Sequence, residues 1–292
     1  MNLTADKWKD YEILDTGDGM KLERWGDVIL ARPDPQVIWK KSAPQLWKKA
    51  DATYHRSNKG GGQWDFTKKL PDKWTIKYGN LKFYVEPTGF KHTGLFPEQA
   101  ANWEWMMEAV SERVAQGREV KVLNLFGYTG GATCACASAG AQVCHVDASK
   151  GMVTRARENV ELCGLTKATV RYLVDDAFKF VSREVRRGNK YDGIIMDPPS
   201  YGRGPGGEVW KLEDSLYDFV EEAASLLSDD PLFFLLNSYT TGLSSLVTGN
   251  ILNMTAAKGR KGKVSSGDLC IPVTADSRIV LPCGSYARFT NK

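Results

Sequence analysis

Four places in the sequence combine residue types that can hold a small polar molecule. Asn124-Leu-Phe-Gly-Tyr-Thr-Gly-Gly131 reads as a glycine turn between a strand and a helix. Glycines there let the backbone approach a ligand, and amides exposed at the helix start can receive a carboxylate or phosphate. Asp147 lies twenty residues after Gly127, at the end of the next apolar run, where a carboxylate can accept from both hydroxyls of a ribose. Val174-Asp-Asp-Ala-Phe178 puts Asp176 at the end of a third run, placed to accept from an adenine amino group. Asp197-Pro-Pro-Ser-Tyr201 ends a fourth, after Tyr191-Asp-Gly-Ile-Ile-Met196. Its prolines fix their own φ and keep the residues before them out of helix, so the backbone stays extended. With Tyr201 beyond it, such a segment can hold a planar acceptor by stacking and through backbone carbonyls.

Each feature has a plainer explanation: a turn glycine, an exposed carboxylate or, for Asp176, a sound helix N-cap. The glycine turn and Asp147 alone fit a nicotinamide dinucleotide site equally well. The four together, in order and each at a strand end, point to the crevice beyond the carboxyl ends of an open parallel sheet, where such folds bind ligands.

The elements needed to position them are legible from about residue 98 onward. Trp103, Met106, Met107, Val110 and Val114 recur at helical spacing, and Gly117 closes that helix. Strands are predicted at 120–126, 142–147, 168–174, 191–197 and 231–237. Helices are predicted from the glycine turn to Gly140, then at 149–163, 176–187, 212–227 and 242–257. This alternation, with near-continuous apolar strands, implies a parallel sheet covered on both faces. Two final strands, at 268–273 and 278–290, have no helix between them and suggest an antiparallel closing hairpin.

Before residue 85 the sequence has short apolar segments, frequent turn residues and six of the nine tryptophans. The segment 12–25 carries a Gly-Asp-Gly turn, 27–33 reads as a strand, and 74–78 with 81–85 flanks Gly79-Asn80 as a hairpin. Residues 57–62 read as a flexible loop. The division expected is a β-rich module at 1–85, a candidate substrate or RNA contact, and a ligand-binding domain at 86–292.

Composition narrows the class. A chain of 292 residues with 42% hydrophobic and 11% aromatic content can bury a core, which disordered chains cannot. No apolar run approaches the roughly 20 residues of a membrane span, and the N-terminus does not read as a secretory signal. No membrane partner is expected, and the cytoplasm is the expected location. None of the six cysteines forms a two-residue-spaced pair, and there are only three histidines, so no metal site is expected. The net charge of +4 permits a nucleic-acid partner without demanding one.

Leu123-Asn-Leu-Phe-Gly-Tyr-Thr-Gly130, Asp147, Asp175-Asp-Ala-Phe178 and Asp197-Pro-Pro-Ser-Tyr201 together resemble class I S-adenosylmethionine-dependent methyltransferases. The large-subunit ribosomal RNA methyltransferase group, with its cytosine-C5 and guanine-modifying members, is the most similar. The resemblance covers roughly residues 90–292. It implies an α/β, Rossmann-like sheet, mostly parallel with an antiparallel closing hairpin, behind a small β-rich N-terminal module. It also implies S-adenosyl-L-methionine as cofactor and RNA, ribosomal by analogy, as partner. His92-Thr-Gly-Leu-Phe-Pro-Glu-Gln99 is similar to a segment that borders the cofactor in that group, so Phe96 and Gln99 would line its pocket. Phe126, Gly127, Tyr128, Thr129 and Gly130 would receive the methionine part. Asp147 with Ala148 would take the ribose, and Asp176 with Ala177 the adenine. Asp197, Pro198, Tyr201 and Asn237 would face the acceptor, with Asp197 also bordering the cofactor.

Two departures matter. Many members begin with a PUA RNA-binding domain, which residues 1–85 do not resemble. Cytosine-C5 methylation also needs a thiolate that adds to the ring. The family's cysteine would lie after the fourth or fifth strand, where this sequence reads Ser200-Tyr201 and Asn237-Ser-Tyr-Thr240. A guanine nitrogen is therefore the expected acceptor. A small molecule or a protein is the alternative, and an NAD-dependent oxidoreductase or a non-catalytic RNA-binding module would be more distant readings. Basic and aromatic residues mingle over 39–59, where Trp39, Trp47 or Tyr54 could stack on bases or turn into the core. A second basic cluster is 258–263. The loop 201–208 reads as a substrate lid or a plain connection.

Overall fold

A computed structural model describes residues 1–57, 61–89, 91–203 and 209–291. Part of the predicted 57–62 loop and most of the 201–208 loop (residues 58–60 and 204–208) lie outside the described residues. The chain divides into two compact units. One comprises Thr4–Ala100 with Cys270–Cys283; the other comprises Met1–Leu3, Ala101–Leu269 and Gly284–Lys292.

After a two-residue strand, β1 (Leu3–Thr4), the N-terminal unit builds β2 (Tyr11–Gly17), β3 (Met20–Trp25), β4 (Val28–Pro33), β5 (Ala52–Arg56) and β6 (Gly62–Phe66). These form one sheet in chain order. A separate antiparallel pair, β7 (Trp74–Tyr78) and β8 (Leu81–Val85), turns at Gly79, whose φ of 55° suits glycine. Strands β5 and β6 are not among the strands expected from the sequence, which singles out here only the mixed basic and aromatic stretch 39–59 and the loop 57–62. Ala52 and Tyr54 are buried while His55 and Arg56 are exposed, an alternation too short to stand out among the lysines.

The tryptophans here are pins. The indole N–H of Trp39 donates to Thr16 Oγ1 (3.0 Å), that of Trp47 to Asp15 Oδ2 (2.7 Å), that of Trp64 to the Thr88 carbonyl (2.8 Å) and that of Trp74 to the Trp25 carbonyl (2.8 Å). Tyr54 is buried, and the Lys41 ammonium covers the face of Trp47 at 3.9 Å. The indole N–H groups thus fix each ring in place, and Tyr54 is turned into the core, while Trp39 and Trp47 remain half-buried.

The unit's buried charge is a fork. Arg32 donates to both oxygens of Glu23 at 2.5 and 2.7 Å, and the Tyr11 hydroxyl donates to Glu23 Oε1 at 2.7 Å. Burial alone would raise the Glu23 carboxyl, but the attraction of Arg32 and Lys21 and these hydrogen bonds outweigh it and hold it at about 2. A depressed carboxyl contributes its full stability above the ordinary value and loses it as the pH falls through the folded one. Acid unfolding of the wild type, followed by tryptophan fluorescence, should therefore steepen from about pH 4.5 towards 2. Glu23→Gln should be flatter over that window and already weakened at pH 7, because Arg32 is left buried without its partner. Parallel acid profiles for the two proteins would contradict this account.

The second unit begins with α1 (Ala100–Ala115), closed by Gly117 at a φ of 76°. There follow β9 (Lys121–Leu125), α2 (Gly131–Ser138), β10 (Gln142–Asp147), α3 (Lys150–Leu162), β11 (Val170–Val174), α4 (Ala177–Arg187) and β12 (Gly193–Met196). Next come β13 (Tyr201–Arg203), β14 (Val209–Lys211), α5 (Leu212–Ala224), β15 (Phe233–Ser238), α6 (Ser245–Met254), β16 (Lys263–Pro272) and β17 (Val280–Thr290). The sheet order is β1-β16-β17-β15-β12-β9-β10-β11. Strands β15, β12, β9, β10 and β11 run parallel, and β17 joins β15 antiparallel. This is the mostly parallel, Rossmann-like α/β fold expected. Strands β12 and β15 are buried along their whole length, which accounts for the apolar runs Ile194–Met196 and Phe233–Leu236. No helix among the described residues is long and apolar enough to cross a membrane.

Candidate active site

The chain runs outward from β9 through β10 to β11, then returns to the other side of β9 as β12. The crevice therefore opens where β9 and β12 part, at the switch point of the sheet. One register row fixes what meets there: Leu173, Val146, Leu125, Met196 and Leu236 are paired across five strands. The residues one step further are Val174, Asp147, Phe126, Asp197 and Asn237. Four of these five were expected site residues, and the sheet brings them side by side.

The glycine turn after β9 is held in an uncommon conformation. Phe126 and Tyr128 have φ of 57° and 49°, and Gly130, the N-cap of α2, has 83°. Such strain persists only where the surroundings dictate it. Asp147 is part of that dictation: its Oδ2 accepts from the Tyr128 amide at 2.9 Å and its Oδ1 from the Ser149 amide at 2.8 Å. The Thr129 carbonyl accepts from Asn159 Nδ2 on α3 at 2.8 Å.

Beneath the turn lies a polar ladder that sequence reasoning missed. Asn124 Nδ2 donates to Thr133 Oγ1 at 2.9 Å, and Thr133 meets His145 Nδ1 at 2.9 Å. All three side chains are buried, and burial pushes His145 down to about 4, so it is neutral. For Asn124 and His145 the signal was present as polar residues inside otherwise apolar strands, whereas Thr133 lies on α2. The imidazole fills the space behind Gly127: a Cβ there would lie 2.4 Å from His145 Cε1. Gly127 is thus required by packing beneath it.

At the end of β11, Asp175 pairs with Arg183, while Asp176 caps α4 by accepting from the Lys179 amide at 2.9 Å. The plainer explanation for Asp176 therefore holds, and the cap uses one carboxylate oxygen. Asp147 and Asp176 are half-buried, Ala148 is exposed and Ala177 is buried.

After β12, Asp197 is half-buried, Pro198 buried and Tyr201 half-exposed. The expected loop is in part a ribbon, with β13 and β14 paired antiparallel through Tyr201↔Lys211 and Gly202↔Trp210. It is tied down by Trp210 Nε1 donating to the Pro199 carbonyl at 2.6 Å and by a Ser200–Thr240 hydroxyl contact at 2.6 Å. The Trp210 ring rests on Phe178 at 4.5 Å, and Phe178 on Phe219 at 4.0 Å. Asn237 is buried on β15, its Oδ1 accepting from Asn102 Nδ2 at 3.1 Å. Phe96 and Gln99 belong to the N-terminal unit, at the 3-10 turn Pro97–Gln99; Gln99 is buried and the Phe96 ring lies 5.5 Å from that of His92.

The profile of the S-adenosylmethionine-dependent methyltransferases matches residues 52–211, over half of the chain. This chain belongs to that family. A solved S-adenosylmethionine-dependent methyltransferase from Agrobacterium tumefaciens is similar over 100% of this chain and 94% of its own, with 38% identity and a TM-score of 0.93. Ribosomal RNA large subunit methyltransferase K of Neisseria meningitidis serogroup B is 29% identical over 76% of this chain and 64% of its own length. Ribosomal RNA large subunit methyltransferase I of Erwinia tasmaniensis is 41% identical over 45% of this chain and 32% of its own. The chain thus spans less than two thirds of the length of these curated relatives.

The crevice of this methyltransferase suits its cofactor. The first turn of α2 has a glycine N-cap with no side-chain cap, leaving its amides to meet an anionic group such as an amino-acid carboxylate. Acceptor oxygens at the ends of β10 and β11 suit hydroxyl and amino donors. When bound, S-adenosylmethionine supplies an electrophilic methyl group on a sulfonium centre.

Gly127→Ala should destabilise the protein by about 1–3 kcal/mol, because the buried His145 ring cannot swing aside. Adding His145→Ala should cost less than the sum of the two single losses in urea unfolding. Additive losses would mean that the two residues do not press on each other.

Proposed function

We propose that this methyltransferase transfers the methyl group of S-adenosylmethionine to a nitrogen of a guanine in ribosomal RNA. The observation that carries the reading is the row of strand ends. The glycine turn and Asp147 stand beside Asp197 and Asn237, with no cysteine among the residues that end β12 and β15. Methyl transfer from a sulfonium needs alignment more than activation, since the leaving group is already good. Asp197 would accept the proton released from an amino group or offset the charge gained by a ring nitrogen. The Pro199 carbonyl already accepts from Trp210, so Pro198 is the proline whose carbonyl would meet the acceptor. Tyr201, half-exposed, would supply a stacking face.

On the cofactor side, Phe126 to Gly130 would hold the methionine part, Asp147 and Ala148 the ribose, and Asp176 and Ala177 the adenine. The names of the Neisseria and Erwinia relatives support ribosomal RNA as the acceptor, and such an acceptor implies the cytoplasm. Exposed lysines of the N-terminal unit, Lys40, Lys48 and Lys49, would meet phosphates.

The thiols argue against cytosine-C5 chemistry, which needs a thiolate. Burial pushes Cys136 up to about 12 and Cys144 up to about 11. Cys134 is raised by its contact with Cys163 and by burial, and Cys283 by burial. All four thiols therefore stay protonated at neutral pH.

The deciding measurement is transfer of labelled methyl from S-adenosylmethionine into ribosomal RNA, other RNA, protein and small-molecule fractions, with nucleoside analysis of the product. Methylguanine in ribosomal RNA is expected. Label confined to a small molecule would defeat the substrate assignment, and a thiol adduct trapped on 5-fluorocytosine RNA would restore the cytosine chemistry. Asp147→Ala should weaken S-adenosylhomocysteine by on the order of 1–3 kcal/mol in calorimetry. Asp197→Ala should instead lower kcat with the cofactor still bound. Unchanged affinity in the first variant, or unchanged turnover in the second, would remove that residue from its role.

A further inference from the structure

Trp210, on β14, touches two parts of the site at once. Its indole N–H donates to the Pro199 carbonyl at 2.6 Å, inside the Asp197-Pro-Pro segment. Its ring lies 4.5 Å from that of Phe178 and edge-on to Phe219 at 6.1 Å. Phe178 and Phe219 are themselves 4.0 Å apart, and each meets Phe126 at 6.1 Å. Phe126 is the positive-φ residue that opens the glycine turn, and Phe178 follows Asp176 and Ala177 at the start of α4. The aromatic group is therefore common ground. The turn on one side of the crevice and the segment after β12 on the other are both fastened to it.

The segment that Trp210 holds has little freedom left. Pro198 and Pro199 fix their own φ, so the path from Asp197 to Ser200 turns mainly on ψ angles. The bond from Trp210 orients the Pro199 carbonyl and thereby sets one of them. Ser200 is held in turn, its hydroxyl against that of Thr240 at 2.6 Å and its carbonyl accepting from the Leu212 amide at 3.1 Å. Tyr201 comes next and pairs with Lys211, the neighbour of Trp210 on β14. A ring that served packing alone would need no donor aimed at that carbonyl. An indole supplies both a face for Phe178 and an N–H on its edge.

We propose that Trp210 is a positioning residue for methyl transfer: it holds the Asp197-Pro-Pro-Ser-Tyr201 segment in line with the turn that receives the cofactor. This rests on the assignment of Asp197 and Tyr201 to the acceptor side, and of the glycine turn to the cofactor, made above. Alignment is what this chemistry asks of the protein, and a displacement of about 1 Å can cost on the order of a hundredfold in rate. Trp210 itself touches neither reactant and acts through the Pro199 carbonyl.

The test combines kinetics with an observable that needs no substrate. Trp210→Phe keeps a ring on Phe178 and removes the N–H. With large-subunit ribosomal RNA transcribed in vitro as the probe, it should lower kcat by about tenfold or more, with KM for S-adenosylmethionine within about twofold. Added to Asp197→Ala, it should cost less than the product of the two single losses, because it works through the same segment. In parallel, the carbonyl carbon of Pro199 can be read by NMR through the Ser200 amide. In Trp210→Phe that carbon should move upfield and the Ser200 amide should broaden. A variant that loses thermal stability but keeps its rate would make Trp210 a packing residue and overturn the proposal. Rate losses that multiply in the double variant, or a Pro199 carbon that does not move, would do the same. If the wild type methylates none of this RNA, the substrate assignment fails, while the carbon shift still decides whether Trp210 orients the segment.

Discussion

The active end of this protein depends on one row of β-pairing. Leu173, Val146, Leu125, Met196 and Leu236 face one another across five parallel strands, and the residues after them form the floor of the crevice. Neighbouring strands lie about 4.8 Å apart, so the sheet sets the spacing between Asp147, Phe126, Asp197 and Asn237 without help from loops. The row is held by the core beneath it: Leu125, Val146, Met196 and Leu236 all belong to the cluster that includes Phe180, Phe219 and Phe234. A slip of one residue in any strand would turn its apolar set out of that core and carry its aspartate or asparagine out of line with the others. Fold and site are therefore specified by the same contacts.

Strands this apolar make every polar side chain within them conspicuous. Asn124, His145 and Asn237 are each buried in such a strand, and each is tied into a short chain of hydrogen bonds. The Asn124–Thr133–His145 ladder props a turn in which two non-glycine residues take positive φ. The Arg288–Asn102–Asn237 chain ties β17, α1 and β15 together in the interior. In both cases a desolvation cost is met in the interior close to the strand ends. That is the expected place for a protein to break its own patterning rules.

The sequence reading succeeded where the physics is local. Apolar runs, glycine turns and helix caps fall close to the observed elements: Ser149 and Asp176 cap α3 and α4, and β7 with β8 flank Gly79-Asn80. It failed where partners lie far apart in the chain. The pairing of β5 with β6 was hidden by charged residues on its outer face, and the ribbon after Asp197-Pro-Pro by its glycines. For Trp39 and Trp47 the sequence leaves open stacking on bases or packing in the core, and it carries no sign of the polar group each indole meets. In the structure the indole of Trp47 is claimed by Asp15, 32 residues away, and that of Trp74 by the carbonyl of Trp25, 49 residues away. Arg288 was invisible for the same reason, being 186 residues from Asn102.

The two readings of each strand-end aspartate, structural and ligand-binding, turn out not to compete. An ionised carboxylate has about four acceptor positions. Asp147 gives one on each oxygen to the Tyr128 and Ser149 amides, and Asp176 gives one to the Lys179 amide. The bonds to backbone amides hold each carboxylate in one rotamer, so its remaining lone pairs point in fixed directions before any ligand arrives. Less side-chain freedom is then lost on binding. A carboxylate that caps a helix or braces a turn is thus better prepared to take a hydroxyl or an amino group than one left to solvent.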